Sequence, residues 1–229
     1  MTMTPRRLRY QGVTVPYITA WSKEQLLPVP PLLRRPGPGG GVALGFQAES
    51  SYDRDTHGAL RMRMAIARGK GVPHLARVHA LRQRRAMLDL LCQVCTRPCL
   101  EVDGAQRYLF LVGAAEPVRE GERTVSPPVC PPCAIEAAQA CPHLRRACVL
   151  AWVKRPESWG VTGDVYDPTT LERIATKQLV HVPYYSPGIN WTIGAHTILS
   201  LHEVTPASWS EVHHLAQQIP QAPAVEVAA

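Results

Sequence analysis

Cys92-Gln-Val-Cys95 and Cys130-Pro-Pro-Cys133 stand 34 residues apart in this chain of 229 residues. Two residues between a pair of cysteines allow one tight turn to direct both sulfur atoms toward the same ion. Two such pairs supply the four thiolates of a closed, tetrahedral structural site. We therefore predict that Cys92, Cys95, Cys130 and Cys133 bind one Zn²⁺ ion.

All seven cysteines of the chain lie between residues 92 and 148. An odd number of cysteines in this spacing favours metal ligation over a disulfide framework. The remaining candidates could form a second zinc site, or two of them could replace a member of the first quartet. A buried core thiol is the alternative for Cys148, which begins an apolar run. These further candidate ligands are Cys99, Cys141, His143 and Cys148.

The segments around the cysteines predict an α+β fold. A basic amphipathic helix is expected over about 74–91, after Pro73, and it leads directly into the first cysteine pair. A short apolar strand is expected over 108–112, and a helix over 134–140 follows the second pair. This order of helix, knuckle, short hairpin, second pair and helix is that of a treble-clef zinc module. We expect small β-rich segments on both sides of it.

Composition shifts suggest four parts of the chain. Residues 1–70 form a β-rich segment that contains a Pro/Gly linker at 28–41, and residues 71–148 form the zinc module. Residues 149–216 form an α/β segment, in which 149–159 and 160–166 are predicted strands and 189–201 has approximately helical spacing. Residues 217–229 are expected to be a disordered tail.

The net charge is +7, and arginine outnumbers lysine by 21 to 4. Residues 54–97 hold ten cations against Asp55 and Asp89, a local charge of +8. A basic segment beside a zinc module is typical of a protein that contacts nucleic-acid phosphates. A solvated helix face in an arginine-rich proteome is the alternative. The predicted phosphate contacts are Arg77, Arg82, Arg84 and Arg85.

The sequence has no apolar signal-peptide core near residue 1 and no run of 18 apolar residues. We expect a cytoplasmic protein without a membrane-spanning segment. Its predicted partner is nucleic acid, DNA ahead of RNA, and the alternative partner is an unknown protein.

RQRRAMLDLLCQVCTRP (82–98) resembles the entry of an HNH-endonuclease-type treble clef, and SPPVCPPCAIEAA (126–138) resembles its second half. That family carries a catalytic histidine between its cysteine pairs, but residues 96–129 here contain neither His nor Asn. The resemblance therefore implies a degenerate module in which zinc has a structural role.

The segments 6–21, 79–95, 127–133 and 141–146 together resemble a family of uncharacterised proteins from high-GC actinomycetes and their mobile elements. That resemblance implies no activity. Three hypotheses follow in order: a non-catalytic zinc protein that binds nucleic acid, a zinc-held protein-interaction scaffold, and a nuclease with a displaced active site. The displaced site would use His57 or His143 together with Asp53 or Asp55.

Overall fold

The computed structural model describes residues 7–38, 40–99 and 106–227. Within these residues the fold is α+β, as predicted. The helices are α1 (Ala80–Leu88), α2 (Pro131–Ala140), α3 (Trp209–Gln218) and a 3-10 helix (Pro187–Trp191). The strands are β1 (Arg7–Tyr10), β2 (Val13–Val15), β3 (Thr19–Trp21), β4 (Leu32–Pro36), β5 (Val42–Phe46), β6 (Leu60–Arg61), β7 (Pro73–Val78), β8 (Tyr108–Val112), β9 (Arg123–Thr124), β10 (Val149–Val165), β11 (Val180–Pro183), β12 (Thr192–Pro206) and β13 (Ala224–Glu226).

A six-stranded sheet forms the centre of the fold, and its two long strands β10 and β12 pair antiparallel along most of their length. β11 and β8 pair with β10, whereas β6 and β9 pair with β12. The predicted N-terminal segment, zinc module and C-terminal segment each supply strands to this one sheet. The sequence boundaries at 70/71 and 148/149 therefore do not separate independent sheets.

β12 corrects the helical prediction for residues 189–201. Nine of its first ten residues, from Thr192 to Leu201, are buried. A strand covered on both faces has a continuous apolar run instead of the alternation that identifies a half-exposed strand, so its periodicity resembles that of a buried helix.

β10 is one continuous strand, although two strands joined around Pro156 were predicted. Its middle, from Lys154 to Trp159, is largely exposed, and the register against β12 shifts between Ser158 and Gly160. A Cβ atom at Gly160 would lie 2.2 Å from the carbonyl oxygen of Val182 in β11. Only glycine allows β11 to approach β10 at this point.

Two predicted boundaries in the N-terminal half were wrong. Residues 73–78 form β7, which pairs with β3, and α1 begins only at Ala80. Pro73 therefore opens a strand instead of a helix, because pairing with β3 overrides the local helical pattern. The predicted linker at 28–41 contains β4, which forms an antiparallel pair with β5.

The tail predicted to be disordered carries β13, which pairs parallel with β1. Arg7 reinforces this pairing, because its Nε donates to the carbonyl oxygen of Ala222 over 3.1 Å. Gln11 and Gly12 form the turn that connects β1 to β2, and both residues have positive φ. No helix in the described part of the chain is long and apolar enough to cross a membrane.

Candidate metal centre

The first cysteine pair lies in a tight turn directly after α1. Leu90 has a φ of +48° just past the helix end, and Thr96 has a φ of +64° just past the second cysteine. The backbone N–H of Cys92 donates to the carbonyl oxygen of Arg97 over 2.7 Å. The backbone N–H of Thr96 donates to the carbonyl oxygen of Cys92 over 3.0 Å. These bonds close a knuckle that turns both cysteine side chains to the same side.

The second pair begins α2. Cys130 is the N-cap residue, two prolines occupy the first two helical positions, and Cys133 follows in the first turn. Proline suits these positions because its missing N–H would have no partner inside the helix. The positive end of the helix dipole favours negative charge on sulfur atoms placed here.

All four predicted ligands are buried, and their sulfur atoms lie within 4.8 Å of one another. The sulfur atoms of Cys95 and Cys130 are 3.7 Å apart. Metal–sulfur bonds of about 2.3 Å in a tetrahedron require sulfur–sulfur distances of about 3.8 Å. The four thiols therefore form a group that could hold a metal ion, and the separation of the Cys95 and Cys130 sulfur atoms is the one expected of two ligands of the same ion.

The electrostatic surroundings of the sulfur atoms also suit a cation. Burial opposes ionisation of Cys92, but hydrogen bonds from the Cys130 and Cys133 thiols outweigh it and hold the Cys92 pKa well below its ordinary value. A metal ion would take over this stabilisation for all four thiolates. Arg7 and Arg97 line a small cleft with Cys95, Cys130 and Cys133. Sequence reasoning missed both arginines, because the fold alone brings them to the cysteines.

The knuckle also joins distant parts of the chain. The amides of Tyr17 and Ile18 donate to the carbonyl oxygens of Val94 and Gln93 over 3.1 and 3.3 Å. The amide of Gln93 donates to Pro128 over 3.0 Å, and Arg97 donates to Pro220 over 2.6 Å. The metal centre therefore lies where the N-terminal segment, the second cysteine loop and the segment after α3 meet.

The described residues contain no second group of three or more clustered His, Cys, Asp or Glu ligands, so the possible second zinc site does not assemble among them. Cys99 lies beside the first quartet instead, and burial together with the Cys92 sulfur raises its pKa well above the ordinary value. Cys141 is the C-cap residue of α2, and Cys148 packs against the hydrophobic core. His143 lies against Gly113.

The order of helix, knuckle, strand, second pair and helix matches the predicted module, but the predicted hairpin is not formed within the described residues. β8 (Tyr108–Val112), whose bounds were predicted correctly, pairs with β10. β9 pairs with β12. The strands between the cysteine pairs thus extend the central sheet instead of pairing with each other.

The four arginines predicted to contact phosphates do not share one surface. Arg77 is exposed on β7, and Arg85 is exposed on α1 with Asp89 3.5 Å away. Arg82 is buried and lies 2.5 Å from Glu24, which leaves it unable to reach nucleic acid. Arg84 is half-buried and lies near Arg61 of β6 and His196 of β12.

Acidic residues that precede the basic segment neutralise much of its charge. Arg54 pairs with Glu49 at 2.9 Å, Arg63 pairs with Asp53 at 2.7 Å, and Arg82 pairs with Glu24. These three arginines account for three of the ten cations in residues 54–97. Charge counted along the sequence overestimated the charge that reaches solvent, because these acids lie outside the counted window.

The residues of the hypothetical displaced nuclease site serve other purposes. Residues 53–57 lie in turns and not in the strand that would place them on one face. Asp53 accepts two hydrogen bonds from Arg63, each of 2.7 Å. One carboxylate oxygen of Asp55 accepts hydrogen bonds from the backbone N–H groups of His57 and Ala59. His57 stacks on Tyr184 with ring centroids 3.8 Å apart.

We expect Asp53→Asn to lower the free energy of unfolding by about 2 kcal/mol at pH 7. Hydrogen bonds from Arg63 hold the pKa of Asp53 at about 2, below its ordinary value of 3.8. A carboxyl group with a lowered folded-state pKa stabilises the fold fully above pH 3.8, and this contribution disappears as the pH falls toward 2. Urea unfolding of both zinc-loaded proteins at pH 7 measures the difference, because acid releases the metal from both.

The control is Asp89→Asn, which removes an exposed pair with Arg85 and should change stability by less than about 0.5 kcal/mol. A cost for Asp53→Asn no larger than that of Asp89→Asn would contradict the assigned role of the ion pair.

Comparison with protein-family models, curated proteins and solved structures finds no match to this chain.

Proposed function

We propose that Cys92, Cys95, Cys130 and Cys133 hold a structural Zn²⁺ ion, and that the protein is a zinc-stabilised binding protein. The observation that carries the proposal is the group of four buried sulfur atoms that lie within 4.8 Å of one another. Four protein thiolates fill the coordination sphere of zinc and leave no position for water or substrate. The metal therefore supports the fold and takes no part in a reaction.

Metal analysis of the purified protein tests the choice of ion. A tetrahedral set of four sulfur ligands suits zinc or iron. We expect one zinc ion per chain and no absorbance in the visible region, since Zn²⁺ has a filled d shell. A coloured protein that contains iron would contradict the proposal, as would a metal-free protein that is fully folded.

We further propose nucleic acid, DNA ahead of RNA, as the partner class, and the supporting side chains are the exposed Arg77 and Arg85. Fluorescence anisotropy of a labelled duplex should show binding at about 50 mM salt and an affinity loss of at least tenfold at about 200 mM. Arg77→Ala should reduce both the affinity and the salt slope, because it removes a phosphate contact.

The matched control is Arg145→Ala, which removes an exposed cation from the segment after α2 and should leave the affinity within twofold. Absence of binding at the lower salt would contradict nucleic acid as the partner and leave a protein partner. The exposed apolar side chains of Leu26, Val29, Ile66 and Leu75 favour that second class.

A further inference from the structure

A second group of polar side chains lies outside the metal centre, between α1 and the central sheet. It consists of Asp55, Arg61, Arg84, Tyr184 and His196, and we name it the two-arginine cluster. Its members come from five different segments: a turn, β6, α1, the loop after β11, and β12. The nuclease, zinc and nucleic-acid proposals leave the cluster as a whole without a role.

Backbone pairing brings these segments together. Arg61 in β6 is opposite Gly194 in β12, two residues before His196. α1 is anchored to β12 through the side-chain amide of Gln83. Its nitrogen donates a hydrogen bond to the carbonyl oxygen of Thr197 over 2.9 Å, and its oxygen accepts one from the backbone N–H of Thr197 over 3.0 Å. Arg84, the next residue, is thereby held close to Arg61.

Both arginines have a buried nitrogen atom that finds no hydrogen-bond partner among the described residues, namely Arg61 Nε and Arg84 Nη2. A buried cationic donor without an acceptor is costly, and two such groups close together also repel each other. Burial and the nearby Arg61 lower the pKa of Arg84 to about 10. Asp55 attracts Arg84, but one of its oxygens already accepts two backbone N–H groups, so it offsets the two cations only partly.

The cluster reaches solvent at one edge, and its histidine is neutral. Both arginines are only half-buried, and exposed His57 stacks on Tyr184 at the edge of the cluster. His196 contacts the Thr162 hydroxyl over 3.3 Å. Burial and the neighbouring Arg84 lower the pKa of His196, so it is neutral at pH 7 and adds no third positive charge beside the two arginines.

We propose that a phosphate group binds between Arg61 and Arg84, with its oxygen atoms accepting the two unpaired guanidinium N–H groups. Guanidinium groups bind phosphate oxygens through short, charge-assisted hydrogen bonds. One doubly negative group would remove the repulsion between the two cations. The phosphate comes either as the free ion or as the terminal group of a nucleotide. This site is independent of the zinc and nucleic-acid proposals.

Thermal unfolding of the zinc-loaded protein with inorganic phosphate tests the site at constant ionic strength, with chloride as the reference anion. Phosphate at ten times its dissociation constant should raise Tm by roughly 3–6 °C. Arg84→Met should abolish this shift, and it should also raise Tm in phosphate-free buffer, because it removes a buried unpaired cation. A merely structural arginine would instead lower Tm when replaced.

Arg61→Met provides a second variant should Arg84→Met fail to fold, and it should reduce the phosphate shift at least by half. The control Arg77→Met replaces an exposed arginine and should retain the whole shift. A nucleoside 5′-monophosphate separates the two sources, with its unphosphorylated nucleoside as the control for binding of the base and sugar alone. If the monophosphate binds more tightly than free phosphate, the ligand is a nucleotide. If the two bind equally, the ligand is the free ion. Absence of a phosphate-specific shift in the unmodified protein, or an equal shift in Arg84→Met, overturns the proposal.

Discussion

Cys133→Ser is expected to lose both its metal and its cooperative fold. A structural zinc ion contributes about 10 kcal/mol or more of apparent binding free energy to folding at neutral pH, which is comparable to the whole stability of a domain. Cys133 lies in the first turn of α2, and the quartet is surrounded by the core that packs β8 and β10 against α3. Zinc content and thermal unfolding followed by circular dichroism measure the two losses together.

The control for this experiment is Cys148→Ser, which replaces a cysteine outside the quartet that packs against the same core. We expect this variant to keep one zinc ion per chain and a cooperative transition. A chelator should convert the unmodified protein to the state of Cys133→Ser, and added zinc should reverse this change. A folded, zinc-loaded Cys133→Ser protein would show that the assigned quartet is wrong.

Glu24→Gln is expected to cost about 3–5 kcal/mol of unfolding free energy, because it leaves Arg82 buried without its counter-charge. The Glu24 side chain is fully buried, that of Arg82 is 5% exposed, and two hydrogen bonds of 2.6 and 2.5 Å join them. Glu24 also accepts the backbone N–H groups of Trp21 and Ala67. The pair therefore holds β3 and the segment before β7 against α1. Urea unfolding at pH 7 measures the cost.

The double variant Glu24→Met/Arg82→Met separates charge pairing from packing. It should be more stable than Glu24→Gln, since it removes both charges from the interior instead of leaving one uncompensated. Glu157→Gln is the control, because it alters an ion pair with Arg155 in which both side chains are about half exposed, and it should cost less than about 1 kcal/mol. If Glu24→Gln also cost less than about 1 kcal/mol of unfolding free energy, the buried ion pair would contribute little to stability.

Local patterns in the sequence predicted the parts of the structure that depend on local geometry. The four predicted metal ligands follow from a Cys-x-x-Cys spacing that occurs twice in the sequence. The bounds of β8 follow from a short apolar run. α2 was predicted from Ala134, and the structure begins it at Pro131, within the second cysteine pair. Each of these features is recognisable from residues that are close together in the sequence.

The predictions that failed depend on long-range partners. Arg82 was read as a surface cation because its counter-ion Glu24 is 58 residues away in sequence. β12 was read as helical because both faces of the strand are covered by other elements. The two-arginine cluster was not predicted, since its five segments are brought together only by the pairing of β6 with β12 and the anchoring of α1. No short motif encodes such a cluster.

The parallel pairing of β1 with β13 has a consequence for folding kinetics. The cysteine pairs are separated by 34 residues, whereas the hydrogen bond from Arg7 to Ala222 spans 215 residues. Closing a long loop lowers the entropy of the chain before the contacts that offset this loss can form. Folds dominated by non-local contacts therefore form slowly. We expect the metal centre to assemble early and the β1–β13 pairing to form last. Its hydrogen bonds should then be among the first to exchange with solvent in the native protein.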